Sequence, residues 1–115
     1  MIEESYQKQI KAIFFKALGS KKFQVFIFGS RAKKNNRKNS DLDLLLDCDF
    51  VIEGHVKVEL DYLFEESNLP FRVDLLIKSE LDPQFLKKIE NSIIKIIDTT
   101  TTYNHNYEIN FIEKK

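Results

Sequence analysis

From residue 41 to residue 48 the chain reads Asp-Leu-Asp-Leu-Leu-Leu-Asp-Cys. Successive side chains of a strand point to opposite faces. Leu42, Leu44, Leu46 and Cys48 therefore share one face, and Asp41, Asp43, Leu45 and Asp47 the other. One face asks for a core and the other carries acid. A chain with this stretch has to build a sheet that is covered on one side and keeps carboxylates on the second.

The flanking sequence supplies the cover. Tyr6, Ile10, Ile13, Phe14, Ala17 and Leu18 fall at the spacing of one helix face, and Gly19 follows where a helix ends. Residues 23–28, Phe-Gln-Val-Phe-Ile-Phe, are aromatic and β-branched and stop at Gly29-Ser30, which predicts a nearly buried strand. Val56, Leu60, Leu63 and Phe64 mark a second helix, ended by a polar stretch and Pro70. A third strand is predicted over 71–77. Asp82 can cap and Pro83 can open a last helix with Phe85, Leu86 and Ile89, after which 93–97 return to the sheet. The expected class is α/β (α+β), with a small mixed sheet of about four strands flanked by helices.

Composition narrows the function. At 115 residues there is room for one domain, expected over 1–98, and its thin core leaves a site at the rim or at a border shared with another protein or a second copy. Residues 99–115 form a polar tail. Tyr107, Ile109 and Phe111 alternate there as in an edge strand, a pattern equally open to a disordered or binding arm. Eighteen Lys plus Arg balance eighteen Asp plus Glu, which argues against a nucleic-acid coat. The one cysteine, Cys48, is expected in the core and excludes an internal disulfide framework or a multi-Cys zinc site. Charges in residues 1–11 replace the apolar stretch of a signal peptide, and no apolar run approaches the ~20 residues that cross a bilayer. A cytoplasmic protein without a membrane role is expected. His55 and His105 read as ordinary surface histidines.

The chemistry concentrates between residues 29 and 43. Asp41 and Asp43, two positions apart, hold their Cα atoms about 6.5 Å from each other and point the same way, so both can reach one hard cation. Without one, each raises the pKa of the other. Gly29-Ser30 follows a hydrophobic strand, where a glycine lets backbone amides approach a phosphate. Arg31, Lys33, Lys34, Arg37 and Lys38 crowd the interval before the acids, an arrangement that suits phosphate and metal together. Asp74, between Val73 and Leu75, is costly to bury unpaired and so sits at a wet strand end or shares the metal. No Gly-Lys-Ser/Thr follows Gly29 and no Gly-x-Gly-x-x-Gly occurs, so P-loop and Rossmann readings fail.

Gly29-Ser30, ten residues, Asp41-Leu42-Asp43 and a later Asp74 resemble the Gly-Ser-x10-Asp-x-Asp motif and third carboxylate of the polymerase-beta-like nucleotidyltransferase superfamily. Phe-Gly-Ser-Arg-Ala at 28–32, Ser-Asp-Leu-Asp-Leu at 40–44 and Leu-Pro-Phe-Arg-Val-Asp at 69–74 are similar to its minimal nucleotidyltransferases, over residues 6–97. Many relatives have Arg-Gly where this chain has Lys33-Lys34, so the loop lacks a flexible glycine.

The resemblance implies that Asp41, Asp43 and Asp74 are catalytic and hold two Mg²⁺ ions. It implies that Gly29, Ser30, Arg31, Lys33 and Ser40 bind the nucleotide, with ATP as donor. It further implies a small helical partner of the HEPN type, paired as toxin with this chain as antitoxin, and AMP transfer onto a tyrosine of that partner. An antitoxin that only binds and blocks the partner is the alternative. Relatives acting on aminoglycosides or tRNA ends as a rule carry further domains for the acceptor. A nucleic-acid module using the basic loop is disfavoured by the zero net charge.

Overall fold

Strand β1 (Gln24–Phe28) lies inside a four-stranded sheet, between β2 (Leu42–Asp47) and β4 (Ile94–Asp98), and β3 (Val73–Ile77) flanks β2 at the other edge. The computed structural model describes residues 2–29, 31, 32 and 41–100; the tail beyond 100 lies outside them. β1 runs antiparallel to β2 and β4, whereas β2 and β3 are parallel. A parallel pair needs a crossover, and α2 (Gly54–Glu65) supplies it. Helix α1 (Glu4–Leu18) precedes β1, and α3 (Pro83–Ile89) joins β3 to β4, with short 3-10 turns at Lys78–Glu80 and Glu90–Ser92. The mixed sheet and helix order expected from the sequence are present.

The local signals act where they were read. Ile10, Phe14 and Leu18 are the buried face of α1, and Gly19 ends the helix at φ +66°. The Asp82 carboxylate accepts the backbone N–H of Gln84 at 3.1 Å and Pro83 fills the first turn of α3. Leu60 and Phe64 of α2 meet α1 through the edge-to-face pair of Phe14 and Phe64, centroids 5.6 Å apart. Under these helices lie Val25, Ile27, Leu42, Leu44, Leu46, Leu75 and Ile77, all buried in one cluster. Truncating a fully buried ring such as Phe14 would cost about 3–5 kcal/mol. Cys48 packs against the same cluster, half-buried, its thiol donating to the Phe50 carbonyl at 3.3 Å.

The opposite face is different. Phe28 pairs with Asp43 and Phe26 with Leu45 across β1 and β2, so these four share the side that the acids occupy. Phe28 and Leu45 are nonetheless buried, and Phe85 of α3 meets the Phe28 ring edge-on at 6.1 Å. A small apolar patch thus underlies the acid face beside its carboxylates.

Candidate active site

Register sets Asp43 beside Asp74 at one end of the sheet, with Asp41 just before β2. Asp43 pairs with Phe28 on one side and with Asp74 on the other. Asp74 is therefore the parallel-strand neighbour of Asp43, its side chain exposed. Asp41 precedes β2, two residues from Asp43 and on the same face. The Leu42 amide between them donates to the Arg72 carbonyl at 2.8 Å, extending the pairing past the strand end. Arg72 then stands opposite Asp41, its Nε 3.8 Å from Oδ2. Both side chains are more than half exposed, so this ion pair contributes little.

Burial first, and then the charges of Asp74 and Asp41, push the Asp43 carboxyl above its ordinary value of 3.8. Nothing in that balance favours a bare cluster of anions. Among the described residues no three His, Cys, Asp or Glu side chains are already gathered as a cation cage. The donor set is all oxygen, half wet, and short of positive charge. It fits a hydrated divalent ion such as Mg²⁺, which keeps several waters and takes one or two carboxylates with substrate phosphates.

Gly29 closes the other side. It follows Phe28 directly with φ +80°, the left-handed region open to glycine. A Cβ at this position would overlap Oδ2 of Asp43 and lie 3.2 Å from its Cγ. The backbone turn is therefore laid directly against the central acid.

Arg31 has a different setting from the solvated cation that its sequence neighbours suggest. It is only 6 % exposed, and its guanidinium lies over the Phe71 ring, 4.4 Å from the centroid. Ser30, Lys33 and Ser40, also expected at the nucleotide, lie outside the described residues, as do Lys34, Arg37 and Lys38. His55 is exposed and 3.6 Å from Glu53, away from the acids. Arg72 and Phe71 were not singled out by the sequence reading. The signal for Arg72 was its place two residues before Asp74, hence on the same strand face. Along the open edge of β3 runs a cleft of about 420 Å³. It reaches the acids only through Arg72 and Asp74, with Lys57, Asp61 and Glu65 of α2 on its far wall.

Comparison with known proteins gives the family and the fold. Residues 8–102 match the family model described as polymerase beta, nucleotidyltransferase. A curated relative from Haemophilus influenzae, the probable protein adenylyltransferase MntA, is 34% identical over 80 residues, 70% of either chain. Among solved structures, a toxin-antitoxin with AMP-PNP superposes with a TM-score of 0.67 at 18% identity, covering 82% of this chain and 74% of that one. A mutant of the toxin-antitoxin MntA-HpeT gives 0.65 at 17% identity, covering 87% and 76%. No helix among the described residues is long and apolar enough to cross a membrane. The acid triad on the open sheet face, the glycine turn against it and the matched family model lead to one conclusion: the chain is a nucleotidyltransferase and belongs to the polymerase beta nucleotidyltransferase family.

Proposed function

We propose that this chain transfers AMP from ATP, with Mg²⁺, onto a tyrosine hydroxyl of a helical HEPN-type partner, and that it acts in this way as the antitoxin of a pair. The observation that carries the reading is the convergence of Asp43 and Asp74 in register, with Asp41 on the same face and Gly29 against Asp43. The names of the relatives, a protein adenylyltransferase and toxin-antitoxin assemblies, support the acceptor class and the partner.

Asp41, Asp43 and Asp74 would hold two Mg²⁺ ions. When bound, the metal neutralises charge on the attacking and leaving oxygens of an in-line displacement. The acceptor oxygen bonds to the α-phosphorus, the bond from that phosphorus to the bridging oxygen breaks, and pyrophosphate leaves. The hydroxyl proton departs toward Asp74, which is exposed and lines the cleft. The Gly29 amide would face the phosphates, and Ser30, Lys33 and Ser40 would bind the same nucleotide, as the resemblance implies. Little covalent work falls to the protein, whose part is positioning and charge.

The test is labelled ATP with Mg²⁺, this chain and its purified helical partner. Label is expected on one tyrosine of the partner, and to vanish with Asp43→Asn. Neutralisation of the partner by Asp43→Asn as complete as by the parent would establish the blocking role instead.

A further inference from the structure

Arg31 sits beside the glycine turn in a basic sequence, yet its side chain is spent inside the protein. We propose that Arg31 is a positioning residue for nucleotidyl transfer, tying the Gly29 turn to the strand that bears Asp74 through the ring of Phe71, and that it is not a ligand of the triphosphate. The proposal rests on the reading that the three acids hold the reacting nucleotide.

The connections can be followed residue by residue. Gly29 touches Asp43 on β2, and Asp43 is paired with Asp74 on β3. Three residues before Asp74 is Phe71, itself 9 % exposed. Its ring is caught on two sides, by the Arg31 guanidinium at 4.4 Å and by Tyr6 of α1, perpendicular at 5.6 Å. Between Phe71 and Asp74, the Arg72 carbonyl receives the Leu42 amide that separates Asp41 from Asp43. Arg31 therefore closes a ring of contacts that runs from the turn through two acids and back.

An arginine suits this place for physical reasons. Its plane can stack on an aromatic face while its edges donate, and the attraction of a cation to a ring is strongest when both are desolvated. A phosphate ligand has the opposite need, with a head group that reaches into the open site.

The test uses Arg31→Met, Arg31→Lys, Phe71→Leu and the double variant Arg31→Met/Phe71→Leu in the full chain. Transfer kinetics, MgATP affinity by calorimetry and hydrogen exchange of the Leu42 amide are measured. Arg31→Met and Phe71→Leu should each lower kcat about 10–100-fold while KM and Kd for MgATP stay within about threefold. The double variant should be no worse than the poorer single, because both break one tie. Arg31→Lys, which keeps a cation over the ring, should recover a large part of kcat, and Leu42 exchange should quicken in the two damaging singles. A direct phosphate contact overturns the proposal, and its mark is MgATP weakened about tenfold or more by Arg31→Met while Phe71→Leu behaves as the parent. Lower melting with unchanged kcat per folded molecule also overturns it, leaving only packing. Should the parent bind MgATP but transfer nothing, the adenylylation reading fails by itself. Affinity and Leu42 exchange then still decide: retained affinity with faster exchange supports the tie, and lost affinity refutes it. A parent that binds no MgATP sinks both.

Discussion

The α-carbon of Gly29 faces the Asp43 carboxylate with no space between them for a side chain. This contact joins a turn to the acid that feels the charges of both Asp74 and Asp41, and it explains why a glycine is required there twice over. Its φ of +80° asks for a residue without Cβ, and so does the neighbour across the sheet. The turn and the acid cannot move independently.

Gly29→Ala should accordingly lower stability by roughly 1–3 kcal/mol, the range for a non-glycine residue held in a sparsely populated backbone region. It should also displace the Asp43 carboxylate and abolish transfer. Urea unfolding of Gly29→Ala, Asp43→Ala and the double variant separates the two causes. Part of the loss should return when Asp43 is also shortened, with a coupling of about 0.5 kcal/mol or more. Strict additivity would mean that the contact carries no energy.

Asp43→Asn should stabilise the ligand-free protein at neutral pH. In the folded state burial, and then Asp74 and Asp41, raise the Asp43 carboxyl above its ordinary 3.8, so the ionised form is penalised by folding. A raised carboxyl pKa means that the native state holds the proton more tightly than the unfolded chain. The penalty is then present at pH 7 and fades as pH falls through the raised value toward 3.8. The gain should be of the size of a cross-strand pair, roughly 0.2–1 kcal/mol, and should shrink toward pH 4. Denaturant midpoints of parent and variant at the two pH values check the sign.

Much of this was legible in the sequence, and what was missed shares one cause. The faces of α1 and α2, the alternation of β2 and the Asp82-Pro83 start of α3 are local patterns, and each element formed where its pattern lay. Pairing is not local. That β3 docks beside β2 in parallel, and that its register sets Asp74 against Asp43 and not one residue away, depends on a crossover through α2 that no spacing announces. Leu45 reads as a misplaced residue among acids, yet it is buried, opposite Phe26 of β1. The burial of Arg31 was hidden for the same reason. Its neighbours in sequence are cations, while its partner in space, Phe71, is forty positions away.

The end of the sheet opposite the acids should govern acid tolerance. Burial alone would raise Asp98, but hydrogen bonds outweigh it and hold its carboxyl at about 2, below the ordinary 3.8. The donors are Lys95 at 2.8 Å, the Thr100 hydroxyl at 2.6 Å and amide at 2.9 Å, and Gln24 at 3.1 Å. A depressed carboxyl pKa supplies stability above 3.8 that disappears as pH falls toward 2. Asp98→Ala should cost about 2 kcal/mol at pH 7, and its difference from the parent should close between pH 4 and pH 2. A constant difference across that window would mean that Asp98 acts by packing alone.

The strongest linkage should be to MgATP itself. Three carboxylates at one sheet end repel each other and would repel a bare triphosphate, so ATP without divalent ion should shift the melting temperature little. With Mg²⁺ the charges on both sides are bridged. A ligand at a hundred times its Kd stabilises a native state that alone binds it by about 2.7 kcal/mol. Asp41→Asn is the sharper probe of the site, because the Arg72 pair of Asp41 is long and exposed and its loss should leave the ligand-free melt almost unchanged. The same variant should forfeit most of the MgATP shift. Thermal melts of both proteins with ATP alone, Mg²⁺ alone and the two together give the answer. An equal shift with and without Mg²⁺, or one that survives Asp41→Asn in full, would remove the metal from the site.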